Sequence, residues 1–240
     1  MKVLVTIDDL GMSPGINAAA AVLLPTGVVG CVSIMATGPA LMEAVEISMG
    51  SRAMVSVHLN CLQPPFLTGG EFPSSHETWF LKGRRLAGRV REEWSRQIEK
   101  LLSCGLMVTR LDSHHHIHNA PGLRDVTLEL AREYGISAVR AAVLPDRRRS
   151  LEALLLDWMG RRLAGAAKSR GISTPDAMLG FSAAGSMSRE YLEEMEEGIR
   201  GAGTAELVTH PAVSPEWSLY QPLELELMRS DWFRRWLSAR

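Results

Sequence analysis

Short β-branched runs alternate along this chain with stretches in which apolar residues recur at helical spacing. Residues 3–7, 28–35, 54–59, 107–113, 137–142 and 205–209 read as buried strands. Residues 16–24, 39–49, 90–103, 123–134, 151–167, 190–200 and 223–237 read as helices. Ser13 followed by Pro14 predicts an N-cap with proline at the first helical position. Residues 61–88 break the rhythm. They hold Pro64, Pro65, Gly69, Gly70, Pro73, Gly83 and Gly88 without a sustained period, which predicts a long loop or lid. Strand followed by helix, repeated along the chain, predicts an α/β fold with a mainly parallel sheet. A (β/α) barrel, whole or incomplete, and an open doubly wound sheet both fit. Either one gathers chemistry at the C-terminal ends of the strands. With no internal repeat and no linker, residues 1–240 are expected to form a single domain.

Composition narrows the function classes. The 240 residues are 46% hydrophobic and 22% charged, an ordinary globular balance. Lys and Arg number 26 against 27 Asp and Glu, so the basic excess of a nucleic-acid surface is missing and no nucleic-acid partner is expected. No apolar run approaches the roughly 20 residues of a membrane-spanning helix. Asp8 and Asp9 fall where a signal peptide would be apolar, so the expectation is a cytoplasmic protein. Cys31, Cys61 and Cys104 lack CxxC spacing, which argues against a disulfide framework or a cysteine zinc site.

The predicted strand ends carry the polar chemistry. One ends in Asp8–Asp9, another in His58–Leu59–Asn60, another in Asp112–Ser113 followed by His114, His115, His116 and His118, and the last in His210–Pro211. Every histidine except His76 lies at such an end. In a parallel α/β fold these ends meet at one face. Imidazole and carboxylate are good ligands for borderline divalent metals, and two histidines with one aspartate leave positions open for water and substrate. Adjacent carboxylates allow one to face the metal while the other works as a base. Spacing alone does not choose among the clustered histidines. In an extended segment His114 and His116 share a face; in a helical turn His114 and His118 come together.

These blocks resemble a known family. Thr6–Ile7–Asp8–Asp9–Leu10–Gly11–Met12–Ser13–Pro14–Gly15 is similar to the opening motif of the YdjC-like carbohydrate deacetylases, the family of the chitooligosaccharide deacetylases. Val32–Ser33–Ile34–Met35 with Gly38–Pro39–Ala40, then Val57–His58–Leu59–Asn60, then Leu111–Asp112–Ser113–His114–His115–His116–Ile117–His118, and finally Thr209–His210–Pro211 resemble its later blocks in order. Residues 1–140 and 205–212 carry the likeness; residues 61–88 and 143–200 do not. The resemblance implies a distorted or incomplete (β/α) barrel that removes acetyl groups from N-acetylated sugars with one divalent metal ion. It implies Asp9, His58 and His114 as metal ligands, Asp8 as the base and His210 as the acid. The nitrogen ligands favour zinc, and magnesium fits if waters complete its shell. A small N-acetylated sugar is the implied partner, with a homodimer left open. A metal-dependent phosphoesterase is a rival reading, but such sites often bind paired metals and need more strand-end carboxylates than this chain offers. A non-catalytic carbohydrate-binding relative is another, set against the presence of all five residues together.

Overall fold

The computed structural model describes residues 1–145 and 150–240. Its strands are β1 (Lys2–Leu10), β2 (Cys31–Ile34), β3 (Met54–Leu59), β4 (Val108–Ser113), β5 (Ala138–Val139), β6 (Ala177–Leu179) and β7 (Thr204–Thr209). They form one parallel sheet in the order β5-β4-β3-β2-β1-β7-β6. Helices α1 (Pro14–Leu23), α2 (Leu41–Met49), α3 (His76–Ser103), α4 (Leu123–Glu133), α5 (Leu151–Lys168), α6 (Arg189–Met195), α7 (Gln221–Arg229) and α8 (Asp231–Ser238) lie between and after the strands. Ser13 caps α1 by accepting from the Ile16 amide, with Pro14 next, as the sequence predicts.

The sheet curls until its edges approach. β5 and β6 do not share a ladder, but Ala138 bridges to Ser173, and the Met178 amide donates to the Val143 carbonyl at 2.7 Å. The result is an incomplete (β/α) barrel, one α/β domain. Alternation along each strand sends one set of side chains to the helices and the other into the lumen. Val5, Ile7, Val32, Val57, Leu111 and Leu207 are buried in the apolar core. Thr6, Asp8, Ser33, Ser56, His58, Asp112 and Glu206 are buried too, yet polar; Thr6 bonds Glu206, and Ser33, Ser56, His58 and Asp112 bond among themselves. This inner set positions the site.

Several expectations are corrected. The helix predicted from residue 90 starts at His76, so the irregular loop is much shorter than 61–88. Gly83 acts there as a packing residue and not as a breaker. A Cβ at this position would lie 2.8 Å from the Pro121 carbonyl oxygen. The final helix is divided into α7 and α8, because Ser230 leaves helical geometry and its Oγ caps α8 at the Phe233 amide. The helix read as 190–200 ends at Met195, and β6 was not foreseen.

Candidate active site

The chemistry begins with an irregularity in β1. Ile7 pairs with Val32 and Leu10 with Ile34, so β1 carries one residue more than β2 between these rungs. This is a β-bulge. Asp9 sits in it at φ +60°, a left-handed conformation costly for any residue but glycine. Strict alternation would send Asp8 and Asp9 to opposite faces. The bulge turns both toward the same cavity.

Asp9 Oδ1 lies 3.1 Å from His58 Nε2 and 3.0 Å from His114 Nδ1. One ligand atom from each residue falls within 4.8 Å of the others. His114 opens a 3-10 turn (His114–Asn119) in which His115 and His116 take φ of 50° and 54°. That turn separates the clustered histidines. His114 joins the donor group, His116 lines the cavity beside Phe181, and His118 is turned away. His118 Nε2 donates to the Arg140 carbonyl at 2.7 Å, and its Nδ1 meets Ser113 Oγ. Burial pushes its pKa down to about 4, so it stays neutral and structural.

The far side of His58 is equally determined. Its Nδ1 bonds Asp112 Oδ1 at 2.6 Å and lies 3.0 Å from Ser33 Oγ. Ser56 donates to the other Asp112 oxygen. A carboxylate behind a ligating imidazole fixes its tautomer and aims the opposite nitrogen at the cation. Asp112 appeared in the sequence only as part of a strand end, with no function assigned.

Arg140, which sequence reasoning missed, holds the base of the site. Fully buried just past β5, it forks onto Asp8 with Nη1–Oδ2 at 2.6 Å and Nη2–Oδ1 at 2.8 Å. It also reaches Glu206 at 2.9 Å and Asp112 at 3.3 Å. Arg110 pairs with the other Glu206 oxygen at 2.7 Å. Burial would raise the pKa values of Asp112 and Glu206, but Arg140 with His58 and Ser33 holds Asp112 low, and Arg140 with Arg110 holds Glu206 low. A signal did exist: a lone arginine inside an apolar strand must find buried partners. Asp8, His58 and Asp112 form a further cluster of ligand type. Arg140 occupies its carboxylates, so it is an ion-pair network and not a cation site.

The charge balance tests whether a metal fits. Among the described residues, the carboxylates of Asp8, Asp9, Asp112 and Glu206 are buried and the guanidiniums of Arg110 and Arg140 pair with three of them, which leaves four negative charges against two positive ones. A divalent cation held by Asp9, His58 and His114 would supply two further positive charges with both imidazoles neutral. The residues therefore fit the group. Without the cation, protons must do this work. Burial disfavours charge on His58, yet Asp8, Asp112 and Asp9 around it raise its pKa to about 10. Asp9 is held low by His114 and His58 against the opposing effect of burial.

A pH dependence follows. A divalent cation taken up through His58 at neutral pH would displace its proton, so apparent affinity would rise about tenfold per pH unit toward pH 10. The same raised pKa stabilises the metal-free protein fully below 6.5, with loss as pH climbs through about 10. Metal-free stability should therefore decline over the window in which affinity grows. Calorimetric titrations in buffers of different ionisation enthalpy count the released proton. Affinity that is flat between pH 7 and 9 would refute the displacement.

His210 enters from the end of β7. Its amide donates to Glu224 Oε1 at 2.8 Å, and its carbonyl accepts from Gln221 Nε2 at 3.1 Å. Its ring meets Trp217 edge to face, with centroids 5.2 Å apart. Burial lowers its pKa, against the pull of Asp9 and Asp8. Glu224, buried without a cation, is pushed up to about 8 and is neutral at pH 7. Asp8, Asp9, His58, His114 and His210 all line one cavity of about 320 Å³, with Met12, Gln63, Phe181 and Trp217 among its walls.

The fold and the donor group define a class: an incomplete (β/α) barrel with an open donor triad of catalytic type at its strand ends. The chain belongs to the YdjC-like protein family, whose profile matches residues 2–239. A Geobacillus stearothermophilus protein named carbohydrate deacetylase is 34% identical over 184 residues, covering 72% of each chain. A Listeria welshimeri protein of the same name is 28% identical over 228 residues, covering 90% of this chain and 83% of that one. A crystal structure of an Enterococcus faecalis protein described as a cellobiose-phosphate cleavage protein superposes with a TM-score of 0.74 at 22% identity, covering 99% of this chain and 94% of that one. This last likeness concerns the fold alone. Among the described residues, no helix is long and apolar enough to cross a membrane.

Proposed function

We infer that this protein removes the acetyl group from an N-acetylated sugar, using one divalent cation held by Asp9, His58 and His114. The observation that carries the reading is the donor triad in a charge-deficient cavity shared by Asp8 and His210. The curated relatives named carbohydrate deacetylase support it.

The cation supplies Lewis acidity, polarising the acetyl carbonyl and acidifying water. The rest falls to the chain. Asp112 holds His58 in the tautomer whose Nε2 is free to ligate. Arg140 fixes both Asp8 oxygens, so this carboxylate has one orientation from which to accept the proton of the attacking water. His210 donates to the sugar nitrogen as the amide C–N bond breaks. The burial that lowers its pKa makes its imidazolium a stronger acid toward that nitrogen. The water proton ends on Asp8 and the His210 proton on the amine, so the step balances.

Metal analysis and acetate release from a panel of N-acetylated sugars test the reading together. About one divalent ion per chain, with acetate formed only when it is present, is the expected result. A metal-loaded protein that cleaves phosphate esters and releases no acetate would favour the phosphoesterase instead. Absence of stoichiometric metal from a metal-replete preparation would remove the basis of the proposal.

A further inference from the structure

Trp217 stands at the wall of the candidate active-site cavity. It lines the cavity, is 44% exposed and packs against the ring of His210, the residue assigned to protonate the sugar nitrogen. An indole at a cavity wall offers a broad apolar face with a polar N–H at its rim. The surrounding backbone holds it there. Gln221 Oε1 accepts hydrogen bonds from the amides of Glu216, Trp217 and Ser218 at 3.0, 3.1 and 3.2 Å. The same side chain's Nε2 donates to the His210 carbonyl. One buried amide thus ties the turn that carries the indole to the residue that carries the imidazole.

The opposite edge of the indole is seated as well. Gly185 is at φ +65°, and a Cβ there would lie 2.6 Å from Trp217 Cη2 and Cζ3. Ser218 Oγ donates to the Gly185 carbonyl at 2.7 Å. Trp217 thus contacts both Gly185 and His210, and it lines the cavity.

We propose that Trp217 is the sugar-binding platform: the apolar C–H face of an equatorially substituted 2-acetamido pyranose stacks on its indole, in a register that Gln221 sets relative to His210. This rests on the deacetylase reading and adds to it a specificity-determining residue. A pyranose offers axial C–H bonds on its faces and hydroxyls at its rim, and the electron-rich face of an indole favours the former. With its ring against Trp217, the sugar keeps its nitrogen toward His210 and its acetyl group toward Asp9, His58 and His114.

The test compares wild-type protein with Trp217→Phe, Trp217→Leu and Trp217→Ala, all metal-loaded, on a β-linked N-acetylglucosamine dimer. Trp217→Leu fills the space over Gly185 without a π face and serves in place of Trp217→Ala should the smaller side chain impair folding. Metal content should be unchanged in all. KM should rise roughly tenfold in Trp217→Ala and Trp217→Leu, with kcat within about threefold, and Trp217→Phe should recover most of the loss. An unchanged KM overturns the platform. So does a fall in kcat at constant KM, which would make the indole only a support for His210. If the wild-type protein itself releases no acetate from any N-acetylated sugar, the deacetylase reading fails first and the platform with it.

Discussion

Asp8→Asn is expected to keep its metal and lose turnover by about 10²–10⁴-fold, the usual cost of removing a general base. That corresponds to roughly 3–5 kcal/mol of barrier. The donor triad does not include Asp8, so its loss leaves Asp9, His58 and His114 in place. Nor should the fold suffer much. An asparagine oxygen keeps one of the two bonds from Arg140 and its amide nitrogen forfeits the other, while the Arg140 bonds to Glu206 and Asp112 remain. Asp9→Asn is the informative partner variant. It removes the anionic ligand and should lose metal as well as activity. Bound metal and kcat measured for both variants separate the assignments. If Asp8→Asn strips the metal while Asp9→Asn retains it, base and ligand have been exchanged. If both turn over near the native rate, the mechanism is wrong.

Arg140→Met should be the most destabilising single change near the site. It leaves Asp8, Asp112 and Glu206 buried without their shared cation. Breaking one buried pair by deleting a partner typically costs about 3–5 kcal/mol. Here one deletion takes the guanidinium from Asp8 and, among the described residues, leaves Asp112 only His58 and Glu206 only Arg110 as cationic partners. The pH dependence has a definite sign. The pKa values of Asp112 and Glu206 are depressed in the native protein, so their contribution is present above their ordinary values and fades as pH falls through the depressed ones. The gap between wild type and variant should therefore be widest near pH 7 and narrow in acid. Arg140→Lys should rescue little, because an ammonium cannot fork across both Asp8 oxygens and still reach Glu206. Urea melts at neutral and acid pH measure this directly. Variants that melt with the wild type would mean that the network contributes little to stability.

What the sequence disclosed depended on whether a residue's partners lay within a readable local pattern. The strand ends bearing Asp8–Asp9, His58 and His114 were legible, because parallel strands bring such ends together whatever their spacing. The fate of the histidine tract was not. It depends on left-handed backbone at His115 and His116, which propensity does not foretell. Arg140 was hidden because its partners stand on β1, β4 and β7, far away in sequence. The start of α3 was missed because Gly83 and Gly88 were weighed as breakers, whereas Gly83 permits close approach to the Pro121 carbonyl. β6 is only Ala177–Leu179, too short to show any period.

The extra residue in β1 sets how many carboxylates reach the cavity. Had β1 kept regular pairing with β2, aspartates at positions 8 and 9 would project to opposite faces, one of them among the aliphatic side chains that pack under the helices. A strand in unbroken register would leave only one of the two carboxylates in the cavity, so the count of acidic groups at the site is fixed by the length of β1 between two rungs of its ladder.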